Sequence, residues 1–154
     1  AIYESARVGK LQVLPAISVP KFVPEVVADV ELSAELGEGP IWDRRREGSL
    51  LWVDILHARL LRYAPASGLV EVHELAEHTQ HVTTVVPVGD SGSLVVLGTT
   101  EGVALYDLET RAWAQHPANG SLFHNEHTRM NDGKCDPAGR LWVGSVAKTG
   151  PGSA

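Results

Sequence analysis

Cysteine is almost missing: Cys135 is the only one in 154 residues. A lone thiol closes no internal disulfide, so a disulfide-stapled secreted scaffold is not encoded. Cys135 sits in a Gly/Pro turn entering a strand, which suits a small half-buried side chain better than a nucleophile. No apolar run reaches the roughly 18–20 residues of a membrane-spanning helix. The first residues lack the apolar core and cleavage site of a secretory leader. Together these features favour a cytoplasmic location and no membrane partner. Positive charge is also scarce, with 13 Lys and Arg against 19 Asp and Glu, a net charge of -6. Nucleic acid needs clustered cations to neutralise its phosphates, so it is not expected as a partner. The only basic run, Arg44 to Arg46, falls in a turn and reads as a solvated loop. No GxSxG elbow, P-loop or GxGxxG occurs, and no stretch holds a convincing helical period.

What the chain does have is a repeat. "GSLLWVDI" (Gly48 to Ile55), "GSLVVLGT" (Gly92 to Thr99) and "GRLWVGSV" (Gly139 to Val146) align, their first glycines 44 and 47 residues apart. Each follows a turn, with Asp43, Asp90 and Asp136 in similar places. Downstream, "ARLLRYAPASGLVEVHEL" resembles "EGVALYDLETRAWAQHP", and Tyr63 and Tyr106 are 43 apart. One unit therefore reads as four short strands joined by Gly, Asp, Pro and Ser turns. Four antiparallel strands with a period of about 45 residues have the size of a propeller blade. The expected class is all-β. The chain holds two and a half to three blades (residues 27–147), an extension or linker (1–26) and a tail (148–154). Propellers close with about 4–8 blades, so the array is incomplete by itself. It is expected to belong to a longer protein or to be completed by a partner or by self-association.

Residues ahead of each repeat are placed to share an axis. Glu38 in "LGEGPIW" and Asn131 in "RMND" are 93 residues apart, two periods, with Thr83 and Thr84 between them. A carboxylate, hydroxyls and an amide oxygen suit a hard divalent cation such as Ca²⁺, Mg²⁺ or Mn²⁺. Arg129 adds a planar donor fork for an oxygen-rich ligand. Neither motif is specific alone: Glu38 also fits a turn carboxylate in water, and Asn131-Asp132-Gly133 fits an ordinary turn. His78 with His81, and His124 with His127, are spaced three apart, but in loops, where exposed histidines are the simpler reading. Trp42, Trp52, Trp113 and Trp142 recur with the units and read as packing residues.

The stretches "ELGEGPIWD", "LLWVDI" and "RMNDGKCDPAGRLWVGSV" resemble the family of SMP-30 (regucalcin), gluconolactonases and luciferin-regenerating enzyme. The resemblance covers roughly Val27 to Ala147. It implies a six-bladed β-propeller that hydrolyses sugar lactones with one divalent cation (Ca²⁺, Zn²⁺, Mn²⁺ or Mg²⁺) on the channel axis. By this resemblance Glu38 is a metal ligand, while Arg129 and Asn131 face the substrate. The other ligands and the general base lie in later blades of the family, so no catalytic base is assigned within this chain. The family's animal members carry an acidic pair where this chain has Lys148-Thr149. Two rival readings stay open: a non-catalytic calcium-binding module, and a blade array that binds other proteins.

Overall fold

The computed structural model describes residues 23, 33–45, 47–117 and 127–148. Every regular element among them is a strand. The first sheet runs β1 (Gly37–Asp43), β2 (Ser49–Asp54), β3 (Arg59–Ala64) and β4 (Leu69–Glu74). The second runs β5 (Val82–Pro87), β6 (Leu94–Thr99), β7 (Val103–Asp107) and β8 (Trp113–Gln115). A third begins with β9 (Thr128–Cys135) and β10 (Leu141–Ala147). Each sheet is an antiparallel meander in chain order. The array is thus a partial propeller: two whole blades and the inner half of a third. The expected extension falls outside the described residues except for Val23, as does the expected tail except for Lys148.

Local chemistry explains the repeat. Gly48, Gly92 and Gly139 have φ of 80°, 88° and 79°, the left-handed turn conformation that a Cβ disfavours. This is why glycine returns at the same point of each unit. The following strands alternate buried and half-buried residues, as in "LLWVD" of β2 and "VALYD" of β7. Strand β5 differs, because five of its six residues are buried. It is the inner strand of the middle blade, packed between β1 and β9.

The core lies between the two whole blades. Leu51, Val53, Leu60, Val82, Val95 and Leu97 are all fully buried there. Each such side chain contributes about 1.5–3 kcal/mol relative to an exposed one. A polar contact crosses the same interface: His73 Nδ1 lies 3.0 Å from the Tyr106 hydroxyl. Burial lowers the pKa of His73 and keeps its ring neutral.

Four expectations need correction. Arg45 is no solvated loop residue; it is 7% exposed and bonds Asp43 at 2.9 Å through both Nε and Nη2. Its Nη1 crosses to the next blade and donates to the carbonyls of Val88 at 3.1 Å and Leu94 at 2.8 Å. A guanidinium has enough donors to pair with the acid and serve a neighbouring turn together. Asp90 does not repeat the turn role of Asp43 and Asp136. Those two accept backbone N–H bonds from Arg45 and from Ala138 and Arg140, whereas Arg45 itself serves the turn of the middle blade. Cys135 is exposed at the last position of β9. Trp142 and Trp42 are 65% and 50% exposed, so neither is a core residue. Trp42 covers the Gly48 turn, and Trp142 Nε1 donates to Asp136 at 3.1 Å.

Candidate functional site

The inner strands β1, β5 and β9 carry the residues singled out in the sequence. Each breaks its pairing register once. The irregularity lies between Glu38 and Ile41 in β1, and between Val82 and Thr84 in β5. In the third unit it falls opposite Gly144, where β9 holds Asn131 and Asp132. A bulge leaves residues out of the ladder and re-aims their side chains. Gly39, with φ of 61°, gives β1 its left-handed bulge residue. Glu38 lies near the start of β1, where it still pairs with Val53; Thr83 and Thr84 lie near the start of β5, and Asn131 lies midway along β9.

The strands touch closely there. A Cβ on Gly39 would meet Thr84 Cα at 4.0 Å. A Cβ on Gly98 would lie 2.8 Å from Thr83 Oγ1 and from Thr84 Cγ2, and 3.5 Å from Met130 Cβ, so only glycine fits. Thr83 and Thr84 are each 2% exposed. The Thr84 hydroxyl donates to the Gly133 carbonyl at 3.1 Å, tying the middle blade to the third. Thr84 therefore joins strands rather than presenting a free oxygen. Thr83 Oγ1 is buried without a hydrogen-bond partner among the described residues.

The Glu38 side chain is exposed and makes no hydrogen bond or ion pair among the described residues. Arg129 and Asn131 are brought together directly: Arg129 Nη1 donates to Asn131 Oδ1 at 3.1 Å and to the Met130 carbonyl at 3.0 Å. That bond occupies the amide oxygen and leaves the amide N–H groups to donate. Of the oxygens expected at the axis, only the Glu38 carboxylate is both exposed and unengaged among the described residues. No group of three His, Cys, Asp or Glu that could hold a metal occurs among the described residues.

Sequence reasoning missed two supports. Asp54, fully buried, accepts from the N–H groups of Glu35 at 3.3 Å and Leu36 at 3.2 Å, and lies 2.8 Å from His57 Nδ1. It fixes the segment that enters β1 just ahead of Glu38. A charged residue ending the apolar run "LLWVD" was the available signal. The second support is His81, whose Nδ1 lies 3.0 Å from Thr100 Oγ1. Burial lowers its pKa, and the positive charges of Arg129 and then Lys148 lower it further, against an opposing pull from Glu101. Of the two histidine pairs, His124 falls outside the described residues. His78 stacks on Trp113 with ring centroids 4.7 Å apart, which leaves it packed rather than paired with His81.

These features define a class: a partial propeller whose neighbouring inner strands carry polar groups. The chain belongs to the SMP-30/Gluconolactonase/LRE-like family, whose model matches residues 36–154. It is 34% identical over 114 residues to the 6-deoxy-6-sulfogluconolactonase of Pseudomonas putida, covering 72% of this chain and 35% of that one. It is 35% identical over 113 residues to regucalcin of Gallus gallus, covering 73% and 35%. To the pentonolactonase XacC of Haloferax volcanii it is 33% identical over 119 residues, covering 76% and 36%. The chain thus spans little more than a third of these relatives' lengths. Among solved structures, regucalcin from Agrobacterium tumefaciens, described as a calcium-binding protein, superposes with a TM-score of 0.61 at 28% identity, covering 73% of this chain and 36% of that one. A luciferin-regenerating enzyme superposes with a TM-score of 0.60 at 24% identity, over the same 73% and 36%, which shows the shared fold. No helix among the described residues is long and apolar enough to cross a membrane.

Proposed function

We propose that this chain forms part of a hydrolase acting on sugar lactones with the help of a divalent cation. The observation that carries the reading is the Arg129–Asn131 donor pair on β9, a strand tied through Thr84 to β5, which packs on β1 and its exposed Glu38. Relatives named as lactonases that cover 72% and 76% of the chain support it.

In this reading Glu38 is the anionic ligand that this chain contributes to the cation. A divalent ion, when bound, polarises a carbonyl oxygen and makes a bound water more acidic. Arg129 and the Asn131 amide N–H groups donate to sugar oxygens and hold the ring for attack. Because Arg129 braces the amide at 3.1 Å, the two donors act as one preoriented unit. The remaining ligands, and the carboxylate that takes a proton from the attacking water, are assigned to further blades of the propeller.

The test is hydrolysis of D-glucono-δ-lactone in a pH-stat with Ca²⁺, Zn²⁺, Mn²⁺ or Mg²⁺, beside calorimetric titration of each ion. Glu38→Gln is expected to weaken the binding of the active ion by about 10–100-fold and to abolish turnover. A variant that retains both wild-type affinity and rate removes Glu38 from the site. A folded wild-type protein that neither binds an ion nor turns over the lactone supports the protein-interaction reading instead. Ion binding without turnover supports the calcium-binding module.

A further inference from the structure

We propose that the mouth of the site carries a subsite for an oxyanion, formed by Arg129 and Lys148, so that its lactones bear a phosphate, sulfate or carboxylate group apart from the ring ester. The substrate class rests on the lactonase reading above; the subsite itself does not.

The placement follows from strand pairing. Arg129 lies opposite Val146 in the β9–β10 ribbon, and Thr128 lies opposite Ala147. The ladder continues one step further, with Lys148 N–H donating to the His127 carbonyl at 2.8 Å. Lys148 is therefore two positions beyond the partner of Arg129, on the same face of the ribbon. The Arg129–Asn131 bond sets that face beside the proposed sugar donors. The charges of Arg129 and Lys148 both act on the single imidazole of His81, in keeping with that placement.

Their lack of partners distinguishes these cations from most others. Arg45, Arg59 and Arg140 meet carboxylates at 2.9, 2.8 and 2.7 Å, while Arg111 and Arg62 reach Glu71 at 3.3 and 3.9 Å. Neither Arg129 nor Lys148 has an ion pair among the described residues. The carboxylate that faces the same imidazole, Glu101, accepts from Thr79 Oγ1 at 2.7 Å. Two neighbouring cations without counter-charge repel each other, and a bound oxyanion relieves that repulsion. Arg129 still has Nε and Nη2 to offer, since its described bonds leave through Nη1. The position also separates the two charges a ligand would meet. Glu38 stands on β1, across β5, and takes the cation and ester end; the Arg129–Lys148 face takes the far end.

The subsite is tested by calorimetry on the whole, metal-stripped protein, comparing gluconate 6-phosphate with gluconate. The phosphorylated acid is expected to bind about tenfold more tightly. Lys148→Glu is expected to lower that ratio about tenfold, and Lys148→Met to lower it less. The unfolding midpoint of each variant confirms that it is folded. Equal affinity for the two acids, or a ratio unchanged in both variants, overturns the proposal. Hydrolysis of glucono-δ-lactone and of its 6-phosphate separates the two readings. A retained binding ratio with neither lactone hydrolysed when the further blades are present sinks the lactonase reading and leaves the subsite standing. Hydrolysis of both with no preference in binding or in kcat/KM sinks the subsite alone.

Discussion

Replacing Arg45 by alanine lowers the free energy of unfolding by about 3–5 kcal/mol, the usual cost of removing one partner of a buried ion pair. Three losses combine. Asp43, 5% exposed, loses its directly bonded cation and keeps only the more distant charge of Arg62. The carbonyls of Val88 and Leu94 each lose a donor at the joint between the blades. The Asp43 carboxyl changes its titration as well. Burial pushes its pKa up, but the bonds and charge of Arg45 outweigh burial and hold it below the ordinary carboxylate value of 3.8. Without Arg45 only the charge of Arg62 still opposes burial, and Asp43 takes up a proton more readily. Urea unfolding followed by tryptophan fluorescence measures the loss. The double variant with Asp43→Leu recovers part of it, because the unpaired charge is then gone. A loss under about 1 kcal/mol in Arg45→Ala would show that the pair is a surface contact.

Replacing Asp54 by alanine costs about 3 kcal/mol and also weakens cation binding, although Glu38 is untouched. The part-buried N–H groups of Glu35 and Leu36 lose their acceptor, and a donor left unsatisfied costs up to about 1–3 kcal/mol. Those residues lead directly into β1, so Glu38 loses its fixed approach. A supporting residue of this kind is worth about tenfold in metal affinity. A second signature is acid sensitivity. Burial raises the pKa of Asp54, but the N–H of Leu36, the imidazole of His57 and the N–H of Glu35 bring it below 3.8 overall. The folded protein thus binds fewer protons than the unfolded chain in the acid range. The contribution of Asp54 is complete well above 3.8 and is lost as pH falls through that value toward the lower folded pKa. Stability plotted against pH should be flatter on its acid side in Asp54→Ala than in the wild type. An unchanged acid limb, with wild-type cation affinity, would remove the anchoring role.

Much of the architecture was legible because turn chemistry is local. Gly48, Gly92 and Gly139 recur where the chain needs a left-handed residue, and an alternating strand follows each. The family resemblance was legible for the same reason, since its motifs are contiguous. Tertiary partners were not. The run Arg44 to Arg46 looks solvated until folding brings Asp43 and two carbonyls of the next blade around the middle arginine. Asp54 reads as one more charged residue until the segment before β1 returns to it. Thr84 carries the hydroxyl expected at the axis, but the carbonyl of Gly133, 49 residues on, captures it. Exposed Trp142 and Cys135 went the other way. Their pattern matched the complete blades, but only the inner two strands of the third unit are described.

The register breaks have an evolutionary corollary. Positions 83 and 131–132 lie where the ladder is interrupted, and position 38 borders the interruption at 39–40, so a change of residue there disturbs little of the regular hydrogen bonding that holds a blade together. Selection can then exchange a carboxylate, a hydroxyl or an amide at one rim while the hydrophobic interior stays as it is. A single scaffold can in this way drift among ligands of different charge, with its foldability largely uncoupled from its chemistry.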